Sequence, residues 1–141
     1  MIKLQIEDFN LEDEINFIKV KHRDIGAVSN FVGYVRNINN QKKVSFIHLE
    51  VYKEMALKTL ENISAIALKK WDLIDILIIH RFGKLNIHEK IVLVSTFSSH
   101  RKDSLSACEF IMDYLKQEAT IWKKEHYSDG YKWLQNTKLK N

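Results

Sequence analysis

Apolar and polar residues recur at two different periods along this chain, and the switches between them mark out its elements. Over residues 2–6, Ile2, Leu4 and Ile6 alternate with Lys3 and Gln5, the period of a short strand with one buried face. Asn10 then stands where it can cap a helix. Glu12, Asp13 and Glu14 fill the first turn, where negative charge is favoured, and Leu11, Ile15 and Ile18 supply the stripe. Asp24 and Gly26 punctuate, and a second strand is expected over 27–36, with Gly33 marking a bulge or a close backbone approach. Residues 37–43, NINNQKK, read as a polar, mobile connector. The next strand, 44–52, alternates cleanly, with Ile47, Leu49 and Val51 on one face and Phe46, His48 and Glu50 on the other.

A long helix follows over 53–71, with Leu57, Leu60, Ile63 and Ala67 facing inward, and runs into LIDILIIHR, a strand apolar enough to be buried on both faces. Gly83 turns the chain, and KIVLVSTF (90–97) forms a strand that delivers Ser98, Ser99, His100 and Arg101 as the next helix opens. Within the stretch 98–125, Leu105, Cys108, Ile111, Met112 and Leu115 recur at helical spacing. The tail from Tyr127 fits a helix, a strand or a partner-binding arm. Hairpins mixed with helices in the order β-α-β-β-α-β-β-α predict an α+β domain on a largely antiparallel sheet.

Composition narrows the class. A chain of 141 residues is one domain's worth, and 45% hydrophobic with 28% charged residues describes a globular protein. Its 22 Lys+Arg against 18 Asp+Glu give a net charge of +4, compatible with anionic ligands but too weak to argue for nucleic acid. No stretch has the length and apolarity of a membrane span, and MIKLQIEDFN lacks the layout of a signal peptide. One cysteine excludes an internal disulfide framework and fits a reducing cytoplasm.

The chemistry concentrates around the helix that opens after residue 98. His100, Arg101 and Lys102 occupy its first turn, where the helix dipole already presents positive charge, so an anion bound there is favoured twice over. Lys116 and Lys123 follow seven residues apart and would share a face if the helix were continuous. The same residue types also describe a solvated helix end with ordinary surface lysines. No pair among the six histidines has metal-ligand spacing, so no metal is expected. Cys108, on the apolar stripe, reads as a buried, inert thiol. Dinucleotide, Walker and nucleophile-elbow motifs are missing from the sequence.

Five segments carry a resemblance: FVGYVRN (31–37), IHRFGKL (79–85), SSHR (98–101), FIMDYLK (110–116) and IWKKE (121–125). In this order and spacing the chain from about Gly26 to Trp133 resembles the large, catalytic subunit of molybdopterin synthase. The resemblance implies an α/β-hammerhead fold and no cofactor. It implies an enzyme that moves sulfur from the thiocarboxylated C-terminus of a small ubiquitin-like subunit to cyclic pyranopterin monophosphate, forming the molybdopterin dithiolene. It also implies a homodimer of large subunits with a small subunit at each end, in the cytoplasm, without nucleic acid or membrane. Carried over residue by residue, Lys116 is the first catalytic candidate and Lys123 assists. His100 and Arg101, reaching a neighbouring subunit's site, hold phosphate, and Arg36 orients the pterin. Cys108 has no role in that scheme. One departure is Thr120, where the family carries a proline; threonine permits the helix to continue and leaves the placement of Lys123 open. A non-catalytic module for anionic or phosphorylated partners would use the same basic residues, and a small RNA-binding domain is a third possibility.

Overall fold

A computed structural model describes residues 1–117 and 121–134, folded as α+β. The first sheet has strand order β1-β6-β8-β2, with β1 (Ile2–Gln5), β6 (Asp75–Arg81), β8 (Lys90–Ser98) and β2 (Ala27–Tyr34). Only β1 and β6 run parallel in it; β8 is antiparallel to both β6 and β2. Helix α1 (Leu11–Lys19) covers one face, and α2 (Lys53–Lys70) and α3 (Arg101–Gln117) cover the other. That two-sided cover explains the unbroken apolar run of β6. Ile76 and Ile78 pack toward α2 and α3, while Leu77 and Ile79 pack toward α1 and Phe9. Asn10 caps α1 as expected, its side chain accepting from the Asp13 amide at 3.0 Å.

Most of each expected stripe packs into the core, with Leu60, Ile63 and Ala67 buried on α2 and Cys108 and Ile111 on α3, but the first residue of each is exposed. Leu57 and Leu105 are 37% and 59% exposed, whereas Ala56 on α2 and Ser104 and Ala107 on α3 are buried. Small side chains there let the helices lie close on the sheet. Burying Ser104 leaves nothing unpaired: its hydroxyl donates to the Arg101 carbonyl at 3.0 Å and accepts from Ser29 at 2.9 Å.

The second sheet is where the structure departs most from the sequence expectation. Its order is β10-β9-β5-β7, with β10 (Gly130–Leu134), β9 (Ile121–Tyr127), β5 (Phe46–Val51) and β7 (Gly83–Asn86). Helix α3 is described over Arg101–Gln117 and β9 begins at Ile121, so Lys123 and Glu125 belong to a strand and not to a continued helix. Thr120 and its effect on the helix end lie outside the described residues. From Tyr127 to Leu134 the tail forms a turn and β10, and its remainder, 135–141, lies outside the described residues. Residues 37–43 are likewise not an unstructured connector. They form a hairpin, β3 (Ile38–Asn39) and β4 (Lys42–Lys43), closed by Asn40 and Gln41 at φ 50° and 65°. Positive φ at both loop positions is the geometry of a tight primed turn, whose twist matches that of its strands. Ile47, Leu49 and Leu85 form a core on one face of the second sheet together with Val35 and Val44.

Candidate functional site

The five basic residues singled out in the sequence fall in three places: His100 and Arg101 where α3 opens, Lys116 in its last turn, and Lys123 on β9 with Arg36 beside it. At the N-terminal end of α3, β8 hands the chain to the helix through residues 98–101, and several polar contacts strap the junction. The Gly26 amide donates to the Ser98 carbonyl at 3.0 Å, and Ser99 Oγ donates to the Asp24 carbonyl at 3.3 Å. Thr96 Oγ1 donates to the Ser104 carbonyl at 2.6 Å, tying the first turn of the helix back to the strand. Gly26 is required by contact and not by backbone angle: a Cβ on it would lie 2.2 Å from the Ser99 carbonyl oxygen. His100 and Arg101 project from this braced turn as exposed side chains, with no ion pair recorded for either among the described residues. A braced backbone carrying an unpaired guanidinium beside an exposed imidazole at a helix N-terminus suits a bound anion.

Lys116 sits fifteen residues further on, in the last turn of α3. At the rise of an α-helix that separates it from Arg101 by about 22 Å. It lines a groove of about 580 Å³ between α3 and β2, with Asn30, Phe31, Leu105 and Met112 among the walls. Among the described residues Lys116 has no ion-pair partner. Cys108 also borders this groove. It is 8% exposed, its Sγ lies 3.8 Å from the Val94 carbonyl, and burial pushes its thiol up to about 11, so its chemistry is suppressed.

Lys123 is built differently. On β9 it pairs with Leu49 of β5, and Glu125 pairs with Ile47, so the two side chains project from the core-facing side of the sheet. Glu125 is only 3% exposed. One of its oxygens accepts from Asn39 Nδ2 at 2.8 Å and from the Tyr127 hydroxyl at 2.6 Å; the other lies 3.9 Å from Lys123 Nζ. Burial draws the Lys123 ammonium below its ordinary pKa. The Glu125 carboxylate opposes that fall, and the Arg36 guanidinium adds to it. Arg36, just past β2, therefore belongs to the Lys123 cluster, exposed and without an ion pair among the described residues. The Tyr127 hydroxyl, donating to Glu125, is pushed up to about 12.

Within one chain the structure thus joins Arg36 with Lys123, places Lys116 in the last turn of α3, five residues before β9 in sequence, and holds His100 and Arg101 at the opposite end of the helix. A ligand the size of a pterin cannot span both ends of α3 in one copy. Sequence reasoning missed Glu125, Asn39 and Tyr127. The available signal was the period-2 spacing of Ile121, Lys123, Glu125 and Tyr127, obscured by assigning this stretch to the helix.

Comparison with known proteins bears on what these clusters serve. Residues 4–118 match the family model of the MoaE protein. The chain is 49% identical, over 94% of its own length and 76% of the relative's, to a molybdopterin synthase catalytic subunit of Ralstonia nicotianae. Among solved structures, the molybdopterin biosynthesis MoaE protein of Burkholderia ambifaria superposes with a TM-score of 0.84 at 43% identity, covering 96% of this chain and 89% of that one. A molybdopterin synthase structure from Staphylococcus aureus gives 0.87 at 35% identity, covering 94% and 96%. With more than half of its length matched by the family model and close relatives spanning nearly all of it, the chain belongs to the MoaE protein family.

Proposed function

We propose that this chain is the catalytic subunit of a molybdopterin synthase. It moves sulfur from the thiocarboxylated C-terminus of a small ubiquitin-like partner to cyclic pyranopterin monophosphate, forming the dithiolene of molybdopterin. The observation that carries this reading is the division of the cations between the two ends of α3 in a chain of this family. Substrate phosphate and the partner's C-terminal tail are both anions, and each meets a cationic cluster. Releasing sulfur from an acyl group requires attack at its carbonyl carbon, and negative charge then develops on the carbonyl oxygen. An ammonium held at that oxygen lowers the barrier by stabilising the charge or by moving a proton.

Lys116 fills this role, exposed at the mouth of a groove that can receive an extended peptide tail. Lys123, partly buried and with its pKa lowered, assists, and Arg36 beside it orients the pterin. His100 and Arg101 hold phosphate in the site of a second copy, because their own Lys116 is about a helix length away. The active assembly is accordingly a dimer of this chain with a small subunit at each end, in the cytoplasm, where the single Cys108 stays reduced.

The test is single-turnover conversion of the pyranopterin precursor by the purified chain with a thiocarboxylated ubiquitin-like partner. Dithiolene formation is expected, together with a stable complex of the two proteins. Complex formation with no product would overturn the catalytic reading and leave a binding module for anionic partners. RNA affinity falling steeply with salt, with neither complex nor product, would put the protein in a different class.

A further inference from the structure

We propose that Asn39, carried on the β3–β4 hairpin, is a positioning residue of this site: its hydrogen bond to Glu125 fixes the carboxylate against which Lys123 is set. The inference rests on the reading of Lys123 given above and extends it to a loop with no assigned role.

A carboxylate only 3% exposed needs partners, and Glu125 divides its two oxygens between two tasks. Oε1 takes two neutral donors, the Asn39 amide at 2.8 Å and the Tyr127 hydroxyl at 2.6 Å. Oε2 faces Lys123 Nζ at 3.9 Å, an ion-pair distance too long for a direct hydrogen bond. Nothing at that distance locks the lysine side of the pair, so its geometry depends on how firmly Oε1 is held. Tyr127 lies two residues from Glu125 on the same strand and moves with it. Asn39 is the brace that comes from elsewhere in the chain, 86 residues away.

The hairpin is built to hold that brace. Its two-residue turn leaves Asn39 directly opposite Lys42, and the Val44 amide donates to the Asn37 carbonyl at 2.8 Å, closing the base. Lys42 reaches Asp129 at 3.3 Å, which ties the hairpin to the turn between β9 and β10. A carboxylate can only accept, so the Asn39 amide must present its NH₂ group, and substitutions that remove or invert that donor are decisive.

The experiment uses the full chain with its thiocarboxylated partner and two readouts: single-turnover rate, and titration of the Lys123 side chain by ¹³C NMR in the free protein. Asn39→Ala should slow turnover by about tenfold, with substrate affinity within about twofold of wild type, the signature of lost orientation and not of lost binding. The Lys123 midpoint should fall further, because the carboxylate that supports the ammonium is no longer held beside it. Asn39→Asp, which sets a second carboxylate against Glu125, should cost more, and Lys43→Ala in the same hairpin should match wild type. If Asn39→Ala does not fold, Tyr127→Phe tests the other brace and should move the Lys123 midpoint in the same direction. An unmoved Lys123 titration in the folded variants overturns the proposal, whether turnover falls or not, since Asn39 would then only satisfy a buried charge. Lys123→Ala at wild-type rate would sink the assignment of Lys123 itself, while the NMR titration would still report the coupling.

Discussion

The start of α3 and the β9 strand carry basic residues in opposite surroundings. At the N-terminal end the backbone is strapped by Gly26, Ser98, Ser99 and Thr96, and His100 and Arg101 stand exposed without an ion pair among the described residues. On β9, Lys123 is partly buried, faces a buried carboxylate and has its ammonium weakened. The first arrangement holds a fixed charge in a fixed place, which is what binding a phosphate asks for. The second adjusts a proton's affinity, which is what chemistry at a carbonyl asks for. On the function proposed above, α3 separates the phosphate-binding residues from Lys116 by about 22 Å, and a second copy of the chain brings them together.

The sharpest way to break this comparison is to disable one end at a time. Lys116→Ala should lower product formation by about a hundredfold or more, with the small-subunit complex intact. Lys116→Arg should rescue poorly, since it keeps charge but cannot readily exchange a proton. Mixing a Lys116→Ala chain with an Arg101→Ala chain and assaying at substrate far below its Kd, where both parents are slow, should then raise activity to about a quarter of wild type, because random dimers regain one intact site in every mixed pair. No recovery after verified exchange of subunits would mean that each chain uses its own two ends.

Cys108, midway along α3, belongs to neither end. Raised from 9.0 to about 11, its thiol should alkylate about a hundredfold more slowly than a free cysteine at pH 8, and at the ordinary rate in urea. Rapid alkylation of the native protein would return it to the list of reactive groups. Arg101→Ala alone should weaken substrate affinity by about tenfold or more and leave the rate at saturation near wild type, the loss expected for one charge-assisted contact to phosphate. A fall in saturated rate instead would place Arg101 with the chemistry. The smallest effect expected on turnover comes from the scaffold. Gly26→Ala drives a Cβ into the Ser99 carbonyl and should destabilise the protein by about 1–3 kcal/mol, read as a lower Tm. Substrate affinity should drop with it, while Lys116 and Lys123 are untouched.

Local pattern alone determined much of this molecule. The alternation of β5, the doubly apolar β6, the Asn10 cap and the handover from β8 into α3 all follow from residue periods and cap chemistry, which act over a few residues. The cationic character of Arg36, His100, Arg101, Lys116 and Lys123 was equally plain, because charge is a property of residue type. What only the tertiary structure decided is how those charges are divided. Residues 121–127 have a weak period of their own and become a strand through pairing with β5, some seventy residues earlier. That pairing turns Lys123 and Glu125 to the core-facing side and buries the carboxylate. The hairpin at Asn39 then supplies a donor from 86 residues away, and desolvation sets the proton affinity of the lysine. Each of these depends on contacts between segments remote in sequence, and burial is a property of the folded packing, which no local window contains.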